Sequence, residues 1–146
     1  MGKYDVIVVG GGPAGALLAF LLARGGVPTT LIERHSDFSR EFRGEGMSPS
    51  GMAAIREAGL WTEFDRLPWT PLKSMTMYSG GRPFLTLDIE SVLPPGMEFL
   101  RVLGQPHLLE LLVAEAGRFA NFSFRRGVLV RDPIVEDGRV RGVRIA

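Results

Sequence analysis

Three glycines followed by Pro-Ala-Gly, Gly10 to Gly15, sit at the centre of an uncharged apolar run and restrict what this chain can become. Val6 to Ala23 holds 18 residues without a charge. A secretory core or a membrane span needs an unbroken apolar centre, so this run is neither signal nor anchor, although Lys3 precedes it. Tyr4 to Val9, YDVIVV, reads as a strand apolar on both faces, the kind buried inside a parallel sheet. Gly10 to Gly12 break it. Pro13 suits the first turn of a helix, where a missing N–H costs nothing, and Ala14 to Arg24 continue the helix until Gly25-Gly26 end it. Thr29 to Ile32 start a second strand that closes on Glu33, completing a βαβ unit of about 30 residues.

Gly10-Gly11-Gly12-Pro13-Ala14-Gly15 satisfies G-x-G-x-x-G, which alone marks no more than a tight turn. Its context adds a strand leading in, a helix leading out and an acidic residue, Glu33, 18 positions after Gly15. In such a unit Gly10 makes the turn, Gly12 lets the backbone approach a pyrophosphate, and Gly15 lets helix and strand pack closely. The helix N-terminus turns free N–H groups and a positive dipole end toward the phosphates. Glu33 would accept hydrogen bonds from ribose hydroxyls and would repel a 2′-phosphate, which leaves NAD or FAD; Arg34 beside it softens that only slightly. Periodicity does not separate the two.

The rest of the composition excludes other chemistries. Seventeen basic against sixteen acidic residues leave +1, too little field to draw nucleic acid or an anionic membrane. Cysteine is absent, which removes disulfides and thiolate catalysis and fits a reducing cytoplasm. His35 and His107 are too few for a histidine metal site, and neither stands in a nucleophile pattern, so no metal ligand and no catalytic residue is assigned.

Further along, Ser36 to Ser48 reads as a long polar connection, and Ser48-Pro49 as cap and first turn of a helix through Ala58, with Gly59 behind it. Leu60 to Leu67 adds a turn or two. Between Pro68 and Leu100, SMTMYS and PFLTLDI joined by Gly80-Gly81 are antiparallel hairpin signals. Met75 and Met77 alternate there and suit either plain core or one wall of a substrate pocket; Trp61 and Trp69 read as packing anchors. Pro106 opens a helix with Leu108, Leu109, Leu112 and Ala116 at helical spacing. Phe122 to Val130 reads as a strand, and Asp137-Gly138 turns Ile134-Val135 back into Val140 to Ile145.

The set GGGPAG, LIER, DFSREFRGEGMSPSGMAAIREAGL, LGQPHLLELLVAEA and EDGRVRGV resembles the FAD-dependent aromatic hydroxylases, the para-hydroxybenzoate hydroxylase-like flavoprotein monooxygenases, over nearly the whole chain. The resemblance implies FAD rather than NAD. Residue by residue it implies Gly10, Gly11, Gly12, Pro13, Ala14 and Gly15 at the pyrophosphate, Glu33 at the adenosine ribose and Arg34 at the adenine end. It further implies Arg43 along the phosphates and ribityl chain, Gln105 at the cofactor from a helix start, and Val130 where backbone meets adenine. A solvated Arg43 and a merely capping Gln105 are the alternatives. Pro133, where the family has an aliphatic residue, is expected to shorten its strand.

The implied reaction uses NAD(P)H as co-substrate to reduce the flavin and O2 to hydroxylate a small aromatic substrate. The implied fold is α/β, a Rossmann-like FAD domain with the start of an antiparallel substrate-domain sheet inserted. Residues 1–67 and 103–146 are expected to be FAD domain and 68–102 the substrate-domain segment. The family's later Asp-Gly and Gly-Asp fingerprints fall beyond Ala146, so the chain reads as the N-terminal part of a longer protein. Two alternatives stay open: a nucleotide-binding module without turnover, and an oxygen-independent reductase of the geranylgeranyl reductase type. A halogenase would need a W-x-W-x-I motif, which Trp61 and Trp69 do not form.

Overall fold

The computed structural model describes residues 5–39, 44–95 and 99–146. They gather into two units, residues 1–41 with 108–146, and residues 42–107. The expected 68–102 segment falls inside the second.

The first unit begins with β1 (Val6–Val9), α1 (Pro13–Arg24) and β2 (Thr29–Glu33). β1 pairs parallel with β2, Val6 opposite Thr29 and Val9 opposite Ile32, and β2 pairs parallel with β8 (Phe122–Arg126), Thr29 opposite Phe122 and Glu33 opposite Arg126. The sheet order is β1-β2-β8, so the predicted βαβ unit is present. Central β2 is buried along almost its whole length, with Leu31 and Ile32 at 0% and 3% exposure, whereas Ile7 and Val9 of β1 are 40% and 56% exposed. The expectation that β1 is buried on both faces is therefore corrected. Val8 points inward, while Ile7 and Val9 point the other way from a strand that has β2 as its single partner among the described residues. Ala16, Ala19, Phe20 and Ala23 form the buried face of α1. Small side chains at three of these four positions suit a close helix–sheet approach. At the opposite end, the Asn121 side-chain amide donates to Ala23 O (2.9 Å) and Val27 O (2.8 Å), tying the exit of α1 to the start of β8.

β8 ends at Arg126, and Gly127 turns the chain at φ +70° before β9 (Val130–Glu136) begins. Phe122 to Val130 is thus two strands with a bend between them, where the sequence reading expected one. β9 pairs antiparallel with β10 (Arg139–Ile145) around Asp137-Gly138, both at positive φ as a tight hairpin turn requires. Pro133 does not shorten β9. It pairs with Val143 inside a two-stranded ribbon, and a strand with one partner can present the edge lacking an N–H outward.

The second unit holds β3 (Gly44–Met47), α2 (Pro49–Glu57), α3 (Trp61–Asp65), β4 (Trp69–Leu72), β5 (Ser74–Ser79), β6 (Arg82–Asp88) and β7 (Leu100–Gly104). The helix signals hold: Ser48 Oγ accepts from Gly51 N at 3.1 Å, and Pro49 stands in the first turn. The polar connection 36–48 contains a strand after all, because Gly44 to Met47 pair antiparallel with Gly104 to Arg101 of central β7. β5 and β6 form the hairpin expected around Gly80-Gly81, with Met75 opposite Leu87 and Met77 opposite Leu85. Met75 and Met77 are 40% and 38% exposed, so they are not core within this unit.

Trp61 and Trp69 do pack, around an arginine. The Arg101 guanidinium lies 4.4 Å from each ring centroid and ion-pairs with Asp65 at 2.6 Å, and the Arg56 guanidinium also lies over Trp61, at 3.7 Å. Trp69 in turn stacks on Phe99 at 5.5 Å. α4 (Gln105–Ala116) follows β7 directly, and its residues from Leu108 onward belong to the first unit, with Leu108, Leu109, Leu112 and Ala116 all buried as their spacing predicts.

Candidate functional site

The first unit folds its glycine turn around a single carboxylate. Gly10 leaves β1 at φ +103°, a region an L side chain rarely enters, with its N–H donating to Ile32 O at 2.8 Å. Gly12 caps α1 in extended conformation and, as a glycine, offers no side-chain cap of its own to the helix N–H groups. No acidic residue occupies the first turn of α1. Gly15 has to be glycine for space: a Cβ there would stand 2.0 Å from Gly10 O.

Glu33, 3% exposed, ends β2 beneath this turn. Its Oε2 accepts from Gly11 N at 2.6 Å and its Oε1 from His35 N at 3.0 Å, charge-assisted bonds that hold the loop and the strand end together. A Cβ added at Gly11 would meet Glu33 Cβ at 3.1 Å, so carboxylate and turn are closely fitted. The sequence reading expects Glu33 to bind a ribose; in the structure its carboxylate braces the glycine turn.

Beside this pair lies a cleft of about 380 Å³, walled by Gly10 and Gly12, by Glu33 and Arg34, and by Val128, Leu129 and Val130. That volume falls in the range of small-molecule sites, ~300–1,000 Å³. Arg34 is exposed, and its Nε donates to His35 Nε2 at 3.0 Å, which makes that ring nitrogen an acceptor. The third wall follows the Gly127 turn, and two backbone bonds zip it to the second: Val128 N to Glu33 O at 3.0 Å and Gly127 N to His35 O at 3.1 Å. Val128 and Leu129 were not singled out from sequence. The signal was Gly127, three residues before Val130, interrupting the strand-like stretch 122–130.

Gly10 to Gly15, Glu33, Arg34 and Val130 are thus gathered in one unit. Gln105 belongs to the other, at the first position of α4 and 5% exposed. Arg43 lies outside the described residues; the strand after it begins at Gly44, which pairs with Gly104, the residue before Gln105. Behind the cleft, Arg126 forks onto Glu110 at 2.9 and 2.6 Å, and that hydrogen bond raises the guanidinium pKa above its ordinary value. His107 is exposed. Among the described residues no cluster of three or more His, Asp or Glu side chains could hold a metal ion, and no helix is long and apolar enough to cross a membrane.

The glycine turn, the buried carboxylate and the open helix end form a fitting cradle for a dinucleotide, and comparison with known proteins agrees. The FAD binding domain family matches residues 3–144. The 6-methylpretetramide 4-monooxygenase of Streptomyces rimosus is 35% identical over 139 residues, 95% of this chain and 33% of the relative. Squalene epoxidase 4 of Arabidopsis thaliana is 31% identical over 142 residues, 97% of this chain and 27% of the relative. The chain therefore spans about a third or less of the length of these curated relatives. Among solved structures, aklavinone-11 hydroxylase in complex with FAD and aklavinone superposes with a TM-score of 0.78 at 24% identity, over all of this chain and 30% of that one, a likeness of fold. A family match across almost every residue, on a chain with this cradle, leads to one conclusion: the chain belongs to the FAD binding domain family and is similar over nearly its whole length to part of flavin-dependent monooxygenases.

Proposed function

We propose that this chain is the N-terminal, FAD-holding part of a flavoprotein monooxygenase that uses NAD(P)H and O2 to hydroxylate a small aromatic or related organic substrate in the cytoplasm. The observation that carries the reading is Glu33, buried between the glycine turn and the 380 Å³ cleft, with Gly12 open to approach on the cleft side. Gly10 to Gly15 and the first turn of α1 would take the pyrophosphate, and Glu33 the adenosine ribose. Arg34 and the backbone at Val130 would flank adenine. Arg43 and Gln105 are assigned to the phosphate, ribityl and flavin side, the amide and guanidinium suiting oxygen-rich partners. Bound flavin would supply electron transfer from the nicotinamide to oxygen; the residues here bind and orient it. The division into FAD-domain segments 1–67 and 103–146, with 68–102 in the substrate domain, belongs to the same proposal.

The test has two stages. The purified chain is titrated with FAD and with ADP, following flavin absorption and binding heat; failure to bind either refutes the cofactor assignment. The complete protein is then assayed for NAD(P)H oxidation and O2 uptake with a panel of phenolic and polyketide-like aromatics. Hydroxylated product supports the monooxygenase. FAD retention with anaerobic double-bond reduction and no O2 uptake would establish the reductase instead, and FAD retention with no turnover would establish a binding module.

A further inference from the structure

We infer that Arg126 is a positioning residue for the cleft, holding apart at a fixed width two walls that it does not itself line. The inference rests on the reading that the cleft takes the ADP half of FAD.

One wall, Glu33 and Arg34, continues β2; the other, Val128 to Val130, continues from β8 past Gly127. Glu33 and Arg126 are register partners where the two strands end, and beyond them the backbone bonds that join the walls among the described residues are those from Val128 N and Gly127 N. Residues 34–39 carry no helix or strand, so something other than a ladder must anchor them. The anchor is Phe38, 2% exposed, stacked on Phe124 at 6.0 Å and 16°. The Arg126 guanidinium lies over both rings, 4.5 Å from Phe38 and 4.9 Å from Phe124. Its two terminal nitrogens then fork onto the two oxygens of Glu110 on α4, which fixes the plane of the cation.

The chain of contacts is therefore α4 to Arg126, Arg126 to Phe38, and Phe38 to the loop that carries Arg34 and His35. A shift of that loop also moves the His35 N–H off Glu33 Oε1, loosening the carboxylate that braces the glycine turn. A partly exposed ion pair adds little to stability, with Glu110 at 53% and Arg126 at 30% side-chain exposure. Geometry is what the fork and stack supply, and a lysine supplies neither.

The test is ADP affinity by calorimetry for the chain and for Arg126→Gln, Arg126→Lys, Glu110→Gln and Arg118→Gln. All are measured well below each unfolding midpoint, together with amide exchange at Gly127 and Val128. Arg118, just past the end of α4, is exposed and pairs with Glu115 of that helix, and serves as control. The expected result is a loss of about three- to thirtyfold for both Arg126 variants, the size of coupling from residues that act at one remove. Glu110→Gln loses less in the same direction, Arg118→Gln is unchanged, and exchange at the two amides speeds up in step with the loss. A folded Arg126→Gln chain with unchanged ADP affinity overturns the inference even if its unfolding midpoint falls, since a purely structural residue behaves that way. Should Arg126→Gln fail to fold, Glu110→Gln decides: unchanged affinity there overturns it too. An unaltered chain that binds neither ADP nor FAD would instead overturn the cofactor reading, and this inference with it.

Discussion

Two glycines three residues apart should respond to the same substitution in opposite ways. At Gly15 an added Cβ would lie 2.0 Å from Gly10 O and 3.2 Å from Gly10 C, while real Cβ contacts essentially never fall below 3.0 Å. Helix and turn would have to separate by about 1 Å, and both sides of the contact are backbone, so no rotamer change relieves it. Gly15→Ala is expected to cost about 3 kcal/mol or more, a large share of the ~5–15 kcal/mol that holds a typical domain. Gly12 sits at φ −71° and ψ 178°, open to any residue, and a Cβ there meets nothing within 4 Å. Gly12→Ala should therefore change stability by about 1 kcal/mol at most, while its methyl group occupies the approach of a pyrophosphate and weakens ADP about tenfold or more. Urea unfolding of the ligand-free chains and ADP calorimetry on the folded ones separate the two effects. Wild-type ADP affinity in Gly12→Ala would show that no phosphate rests on that residue. An unshifted unfolding midpoint in Gly15→Ala would remove the close helix–turn contact on which the site geometry depends.

Three further substitutions test the supports around the site. Glu33→Gln leaves one acceptor oxygen for two N–H donors, Gly11 and His35, and should lower urea stability by about 1–3 kcal/mol without any ligand present. Asn121→Ala strips donors from Ala23 O and Val27 O and should cost about 1–2 kcal/mol, with faster proteolysis at the Gly25-Gly26 exit of α1 as a second readout. Arg101→Lys should destabilise nearly as much as Arg101→Met, by about 1–3 kcal/mol, because an ammonium cannot fill the flat space between Trp61 and Trp69. These are the only tryptophans in the chain, so their emission reports the loss of the stack directly.

What could be read from the chain alone was whatever a few neighbouring residues encode. Pro13 behind a glycine turn, Ser48-Pro49 at a helix start, Gly80-Gly81 and Asp137-Gly138 each restrict backbone angles locally, and each appears where its chemistry put it. The glycine pattern with Glu33 also named the kind of ligand, because tight turn, open helix end and acidic strand end all lie within one βαβ unit. Gly44 to Met47 could not be read as a strand: GEGM has little strand propensity, and its extended state comes from pairing with Arg101 to Gly104, far along the chain. The exposure of Ile7 and Val9 escaped notice for the same reason, since an apolar strand looks alike at the centre of a sheet and at its edge. The cleft's third wall depends on the Gly127 bend, and its second on Phe38 meeting Phe124 and Arg126. Backbone angles are a local property, but burial and pairing need a partner, and here the partners were distant in sequence until the chain folded.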